Sequence, residues 1–240
     1  MGRTLTPSPL FSTGVLGATL ITLGGDDKQK QNYLPRIVDG SLTTALALEE
    51  SNRHSPFSIS TKATKDGNDY KISGEKTFVI DGHSSSLIVV AARTGGSDVD
   101  ASGITLFLLD ADTDGIAINK TSMVDSRNSA NIKFNDVVVS SSNLLGEENN
   151  GGAILEEVLD RAQIAISAEM LGNASQAFDV TLDYLKERKQ FGSVIGTFQA
   201  LQHRAAEMYS ELELTKSSVI AACNAVDENS NDLKRMASLA

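Results

Sequence analysis

The sequence predicts an α+β protein in three regimes, a short helical beginning, a middle made of strands and an end made of long helices. Three observations carry that prediction. Apolar residues keep helical spacing as far as Ile37, alternate or cluster in short runs between about Leu42 and Leu145, and return to helical spacing from Ile154. The middle runs are separated by turn chemistry, Asp66-Gly67-Asn68, Gly82, Gly95-Gly96 and Asp114-Gly115. Pro7, Pro9, Pro35 and Pro56 are the only prolines, so nothing in the later part interrupts a long helix. Domain boundaries are expected at 1–41, 42–146 and 147–240.

Taken in order, Phe11, Val15, Leu16, Leu20 and Leu23, then Tyr33, Leu34 and Ile37, predict two short helices hinged at Gly24-Gly25. Strands are expected at 43–48, 58–64, 70–72, 77–80, 87–92, 104–109, 116–121, 130–134 and 137–139, and their regular spacing predicts an antiparallel barrel or sandwich. Ile154, Leu155, Val158, Leu159, Ala162, Ala165 and Ile166, continuing through Phe178, Leu182 and Leu185, predict one helix of unusual length. A loop around Gly192 to Gly196 leads to a second, with Phe198, Leu201, Ala205, Met208, Leu212 and Val219 on one face, so the two should form an antiparallel hairpin. Residues 227–232 read as a solvated acidic turn before a further helix-like run. That run stops at Ala240 without a cap, which predicts a chain cut short inside a helical bundle.

Composition excludes several function classes. Of 240 residues 40% are hydrophobic and 22% charged, a globular rather than a disordered balance. Lys and Arg total 21 against 31 Asp and Glu, a formal charge of -10, and the densest basic stretch is only Lys186, Arg188 and Lys189 with Glu187 among them. That argues against nucleic acid as a partner. The single cysteine, Cys223, excludes an internal disulfide and reads as a buried, inert thiol. With no signal-peptide pattern near Met1 and no apolar run long enough to span a bilayer, a cytoplasmic location is expected. His54, His83 and His203 are too dispersed for a local metal motif, and no metal site is expected. Dinucleotide, Walker, C-x-x-C, H-E-x-x-H and G-x-S-x-G motifs are absent.

Two stretches remain as candidates for chemistry. In Glu187-Arg188-Lys189-Gln190-Phe191-Gly192, at the end of the first long helix, the Arg188 guanidinium suits a pyrophosphate and Phe191 an aromatic ring system. The alternative is that cations simply complement the helix dipole and Gly192 caps the helix. In the stretch from Gly74 to Gly82, Phe78 and Ile80 share one face of a strand, where they either line a flat cofactor or fill half of an inward-facing core.

The ordered motifs Tyr33-Leu34-Pro35-Arg36-Ile37 with Asp39-Gly40, Ala45-Leu46-Ala47-Leu48-Glu49, Tyr70-Lys71-Ile72-Ser73-Gly74-Glu75-Lys76, Leu144-Leu145-Gly146-Glu147, and Glu187 to Gly192 with Phe198-Gln199 resemble the acyl-CoA dehydrogenase family. In Gly2-Arg3-Thr4-Leu5, Asp81-Gly82-His83-Ser84 and Gln202-His203-Arg204-Ala205-Ala206 the chain is most similar to the pimeloyl-CoA dehydrogenase small-subunit type. The resemblance implies an N-terminal helical domain, of which only the end is expected here, a middle β-domain, and the start of a C-terminal helical bundle that builds a tetramer. It implies an FAD-dependent oxidoreductase that desaturates an acyl-CoA thioester, a carboxylate taking the α proton while the β hydrogen leaves as hydride to flavin N5. An electron-transfer flavoprotein is the implied partner.

Carried over by the same resemblance, Arg188, Gln190 and Phe191 reach the FAD of a neighbouring subunit in a homo- or hetero-oligomer. Ala45, Ala47 and Leu48 line the isoalloxazine, with Phe78 and Ile80 beside it. His54, Asp160 and Gln163 are the implied substrate contacts. Leu48 stands where Thr is common, Ile80 where a hydroxyl is common, His54 where Ser is common and Gln163 where Arg is common. The position of a minority family base is Ala162, which cannot take a proton, so no catalytic base is expected in this chain and a Glu beyond Ala240 is expected instead. The alternatives are a non-catalytic subunit of a heteromeric dehydrogenase and a flavin oxidase or monooxygenase on the same scaffold.

Overall fold

Residues 1–125, 127 and 129–240 are described by the computed structural model and fall into two units, Ser8–Leu159 and the joined segments Met1–Pro7 and Asp160–Ala240. In the first, a π-helical segment, Leu10–Gly17, runs directly into helix α1, Ala18–Gly24. The predicted break at Gly24-Gly25 follows. Asp26 then opens helix α2, Asp27–Val38, through a capping box in which its carboxylate accepts from the Gln29 N–H at 2.7 Å.

Eight strands share one sheet: β1 Thr44–Ala47, β2 Lys62–Asp66, β3 Asp69–Ile80, β4 Leu87–Arg93, β5 Ile104–Asp110, β6 Ile116–Thr121, β7 Ser129–Ser140 and β8 Leu144–Leu145. Their order is β6-β7-β3-β2-β4-β5-β8, with β1 also paired to β4. The antiparallel expectation is corrected at two places, since β1 and β2 both run parallel to β4. Parallel neighbours need long connections, and here the chain passes through β3 between β2 and β4, and through both β2 and β3 between β1 and β4.

The strand expectations at 70–72 and 77–80 merge into β3, and those at 130–134 and 137–139 into β7, because the register shifts at Ile72/Gly74 and Lys76/Val79 bulge the ladder without ending it. At 58–64, only the end enters the sheet. The N–H groups of Ser60 and Thr61 donate to the Glu50 carboxylate instead of to a strand.

Burial follows this pairing. Strand β4 is buried on both faces, which explains its continuous apolar run. On one side, residues from β1, β2, β3, β4, β5 and β7 close over a shared core, where the rings of Tyr70 and Phe107 meet edge-on at 5.1 Å. The π-helical segment lies against β1. The Thr44 N–H donates to Thr13 Oγ1 at 2.9 Å, and a Cβ on Gly17 would collide with the Thr44 side chain, so only glycine allows this approach.

Helix α3, Gly151–Glu187, begins in the first unit and continues in the second. A short hairpin, β9 Lys189–Gln190 and β10 Ser193–Val194, leads to helix α4, Gln199–Asp227, and then to α5, Leu233–Leu239. Ile164 packs with Ala222 and Ala237, the Phe178 and Tyr209 rings stand 6.3 Å apart, and Arg161 donates to the Asn229 side chain. Positions rising along α3 therefore meet positions falling along α4, the predicted antiparallel pair. Cys223, expected buried, is exposed: the buried residues of α4 are Val219, Ala222 and Ala225, and the thiol projects about 100° away from Ala222. Among the described residues, no helix is long and apolar enough to cross a membrane.

Candidate functional site

In the first unit, the residues expected around a flavin converge at the end of β1. Glu49 accepts the Thr77 N–H on its backbone carbonyl at 2.8 Å, and the Lys76 ammonium donates to the Leu48 carbonyl at 3.0 Å. Both bonds tie the chain just after β1 to the bulge in β3. From the other side, Ser12 in the π-helical segment donates its hydroxyl to Asp81 at 2.5 Å, next to the end of β3.

The bulge decides where Phe78 and Ile80 go. Val79 takes the core position, 2% exposed, while Phe78 and Ile80 are 52% and 41% exposed. The inward-facing core reading of this pair is thereby corrected, because the extra residue between Lys76 and Val79 moves the next inward position from Phe78 to Val79. Phe78 also adopts φ +58°, and its N–H donates to the Asn131 side chain rather than to a ladder carbonyl. A bulky residue in the left-handed region is an uncommon, strained state held by its surroundings.

Ala45, Ala47 and Leu48 are placed differently. Their side chains are buried, Ala45 and Ala47 within the sheet core, so what they offer a ligand is backbone. His54 lies in the loop between β1 and β2, where its Nδ1 is 2.7 Å from the Glu49 carboxylate and its ring is largely exposed. The second Glu49 oxygen accepts the Ser55 N–H at 3.0 Å. Glu49 thus orients the imidazole and leaves Nε2 to the outside.

Two buried cations and a half-buried carboxylate behind this edge escaped the sequence reading. Lys76 is 1% exposed and donates to Glu50 at 2.7 Å as well as to Leu48. Burial pushes its ammonium down to about 8, against the opposing pull of Glu50. Burial also works to raise the Glu50 carboxyl, but the Lys76 charge, with the Ser60 and Thr61 N–H groups, outweighs it and holds the group below the usual carboxylate range. Arg93 commits all five N–H donors to backbone carbonyls, of Phe57, Ile59, Asp98, Asp100 and Ser102. One signal was available: Lys76 has the inward parity of Tyr70 and Ile72, and two glutamates stand upstream.

The remaining candidates lie in the second unit. Gly192 does not cap the helix, the alternative offered for the motif from Glu187 to Gly192. The helix ends at Glu187, and Phe191-Gly192 form the two-residue turn between β9 and β10, with φ +54° and +78°. Two successive positive φ angles are the mark of a type I′ turn, which selects Asn-Gly rather than Phe-Gly. Phe191 is 92% exposed, its ring 6.3 Å from that of Phe198, and Arg188 and Gln190 are exposed on the same hairpin. On α3, Asp160 is half-buried and Gln163 exposed, while Ala162 is buried and offers no proton acceptor.

These surfaces suit a flat apolar ring with an anionic tail: two exposed apolar side chains beside a strand edge, and separately an exposed phenyl ring with a guanidinium. Comparison with known proteins gives the class. The family model "Acyl-CoA dehydrogenase, middle domain" matches residues 45–137, and "Acyl-CoA dehydrogenase, C-terminal domain" matches residues 149–240. A probable acyl-CoA dehydrogenase of Bacillus subtilis is 34% identical over 231 residues, covering 91% of this chain and 60% of that protein.

Among solved structures, butyryl-CoA dehydrogenase from Megasphaera elsdenii aligns with TM-score 0.89 and 31% identity over 96% of this chain and 63% of that one. A structure described as PigA with FAD and proline aligns with TM-score 0.87 and 26% identity over 93% and 59%. The chain belongs to the acyl-CoA dehydrogenase family. It spans about half to three-fifths of the length of the curated relatives it matches.

Proposed function

We propose that the protein is an FAD-dependent acyl-CoA dehydrogenase, desaturating the α,β bond of an acyl-CoA thioester and passing its electrons to an electron-transfer flavoprotein. One observation carries this reading: Phe78 and Phe191, singled out as flavin contacts, are both aromatic, both exposed and both held at positive φ. Strain of that kind at a phenyl ring left so exposed, with only the Phe198 ring beside Phe191, favours a ligand that uses the ring. FAD supplies the hydride acceptor when bound. Phe78 and Ile80 cover its ring, the backbone at Ala45, Ala47 and Leu48 borders it, and Arg188, Gln190 and Phe191 serve the flavin of a neighbouring copy. The substrate contacts are assigned by the resemblance to His54 in the first unit and, separately, to Asp160 and Gln163 in the second.

Leu48 and Ile80 bring no hydroxyl to the flavin, and each such hydrogen bond is worth about 0.5–1.5 kcal/mol, so FAD is held more weakly than where both are present. Ala162 cannot take a proton, and the carboxylate that removes the α proton is assigned to a position outside these residues. The similarity of three short segments to the pimeloyl-CoA dehydrogenase small-subunit type makes a dicarboxylic acyl chain and a second, related subunit part of the proposal. The organisation that goes with it is the end of a helical domain at 1–41, a β-domain at 42–146 and a helical-bundle domain at 147–240, in a cytoplasmic oligomer. Anaerobic addition of acyl-CoA thioesters to the native, flavin-loaded polypeptide tests the chemistry. Bleaching of the flavin absorbance by at least one thioester is expected; none with any thioester, with flavin bound, contradicts it.

A further inference from the structure

The chain from Leu48 to Thr61 joins two parallel strands and has no regular secondary structure, yet it carries Glu49 and His54. Two buried cations hold it at opposite ends. At its start, Lys76 reaches out of β3 to the Leu48 carbonyl and the Glu50 carboxylate, and Glu50 in turn accepts from the N–H groups of Ser60 at 2.7 Å and Thr61 at 3.0 Å. One ion pair thereby ties the beginning of the loop to its end. At the far side, Arg93 in β4 accommodates the carbonyls of Phe57 and Ile59, together with three carbonyls of the segment 98–102. The Arg93 N–H itself donates to the Thr61 carbonyl at 2.7 Å.

We propose that Lys76 with Glu50, and Arg93, form a two-point buried anchor that shapes the loop 48–61 before any ligand arrives, making Lys76 a positioning residue for the Leu48 backbone and the Glu49–His54 pair. Buried ion pairs are seldom a good route to stability: removing both partners for apolar groups of similar size often costs nothing. A pair retained at the edge where a flavin ring is proposed to lie therefore has its value in geometry. The backbone of Leu48 is what this residue can offer the ring, and Lys76 fixes the orientation of that peptide. The inference rests on the proposed flavin site, but the preformed loop it describes is independent of any ligand.

The double variant Lys76→Met/Glu50→Leu separates positioning from stability. It should melt close to the wild-type temperature, while the amides of Ser60 and Thr61, freed from the carboxylate, exchange with deuterium at least tenfold faster and FAD binds about tenfold more weakly, one good hydrogen bond's worth. Unchanged loop exchange in a folded double variant overturns the anchor. Unchanged FAD affinity with faster loop exchange overturns the positioning role and leaves the anchor merely structural. Should the double variant not fold, Glu50→Gln, which keeps a polar acceptor for Lys76 but removes the charge, is read by the same exchange at Ser60 and Thr61. A wild-type chain that binds no FAD removes the flavin reading, while the exchange measurement still decides the anchor.

Discussion

Lys76 and Phe78 stand two residues apart in one strand and illustrate opposite solutions to the same bulge. Lys76 is turned inward, where a cation is costly unless paired, and Phe78 outward, where a phenyl ring is exposed. The lysine has a consequence for pH. Its folded-state value, about 8, lies below the ordinary lysine value of 10.5. Between those two limits the unfolded chain binds a proton that the folded chain does not, so this group adds stability as pH rises from about 8 and contributes none of it below. Thermal melts of wild type and Lys76→Met across pH 7 to 10 should diverge in slope, the wild type gaining relative to the variant on the alkaline side. Parallel slopes would mean that Lys76 keeps its proton throughout.

Elements explain why some of this was legible and some was not. Strands β4 and β5 announce themselves as continuous apolar runs because they are buried on both faces, and the long α3 announces itself by period and by the lack of proline. The parallel pairing of β1 and β2 with β4 leaves no such trace, since nothing in Thr44–Ala47 distinguishes a parallel from an antiparallel neighbour. Bulges erase the boundary between 70–72 and 77–80, and with it the side to which Phe78 points. The hairpin at Lys189–Val194 was hidden for another reason: Phe-Gly is a poor type I′ pair, so turn chemistry gave no signal there. That mismatch yields a prediction. Phe191→Asn installs the residue this turn prefers and should leave stability unchanged or raise it by about 1 kcal/mol, while weakening FAD binding. Loss of stability in this variant, measured by thermal melting, would show that Phe191 is held for packing.

Across the whole chain, candidate residues divide between two units that are each described by their own contacts: Ala45, Ala47, Leu48, His54, Phe78 and Ile80 in one, Asp160, Gln163, Arg188, Gln190 and Phe191 in the other. The membership in the acyl-CoA dehydrogenase family explains why both sets exist in one sequence, and the five ordered motifs made that membership readable from the residues themselves. What the motifs could not supply was the layer behind the site, Lys76, Glu50 and Arg93, because buried polar networks depend on which distant segments meet. The measurement that tests the central claim most directly is a fluorescence titration of FAD with the chain, run beside Phe78→Ala. Saturable binding at one flavin per chain, weakened at least severalfold in a variant whose melting temperature is unchanged, is the expected result. No saturable binding by the folded wild type, or equal binding by the variant, would contradict the proposed flavin site.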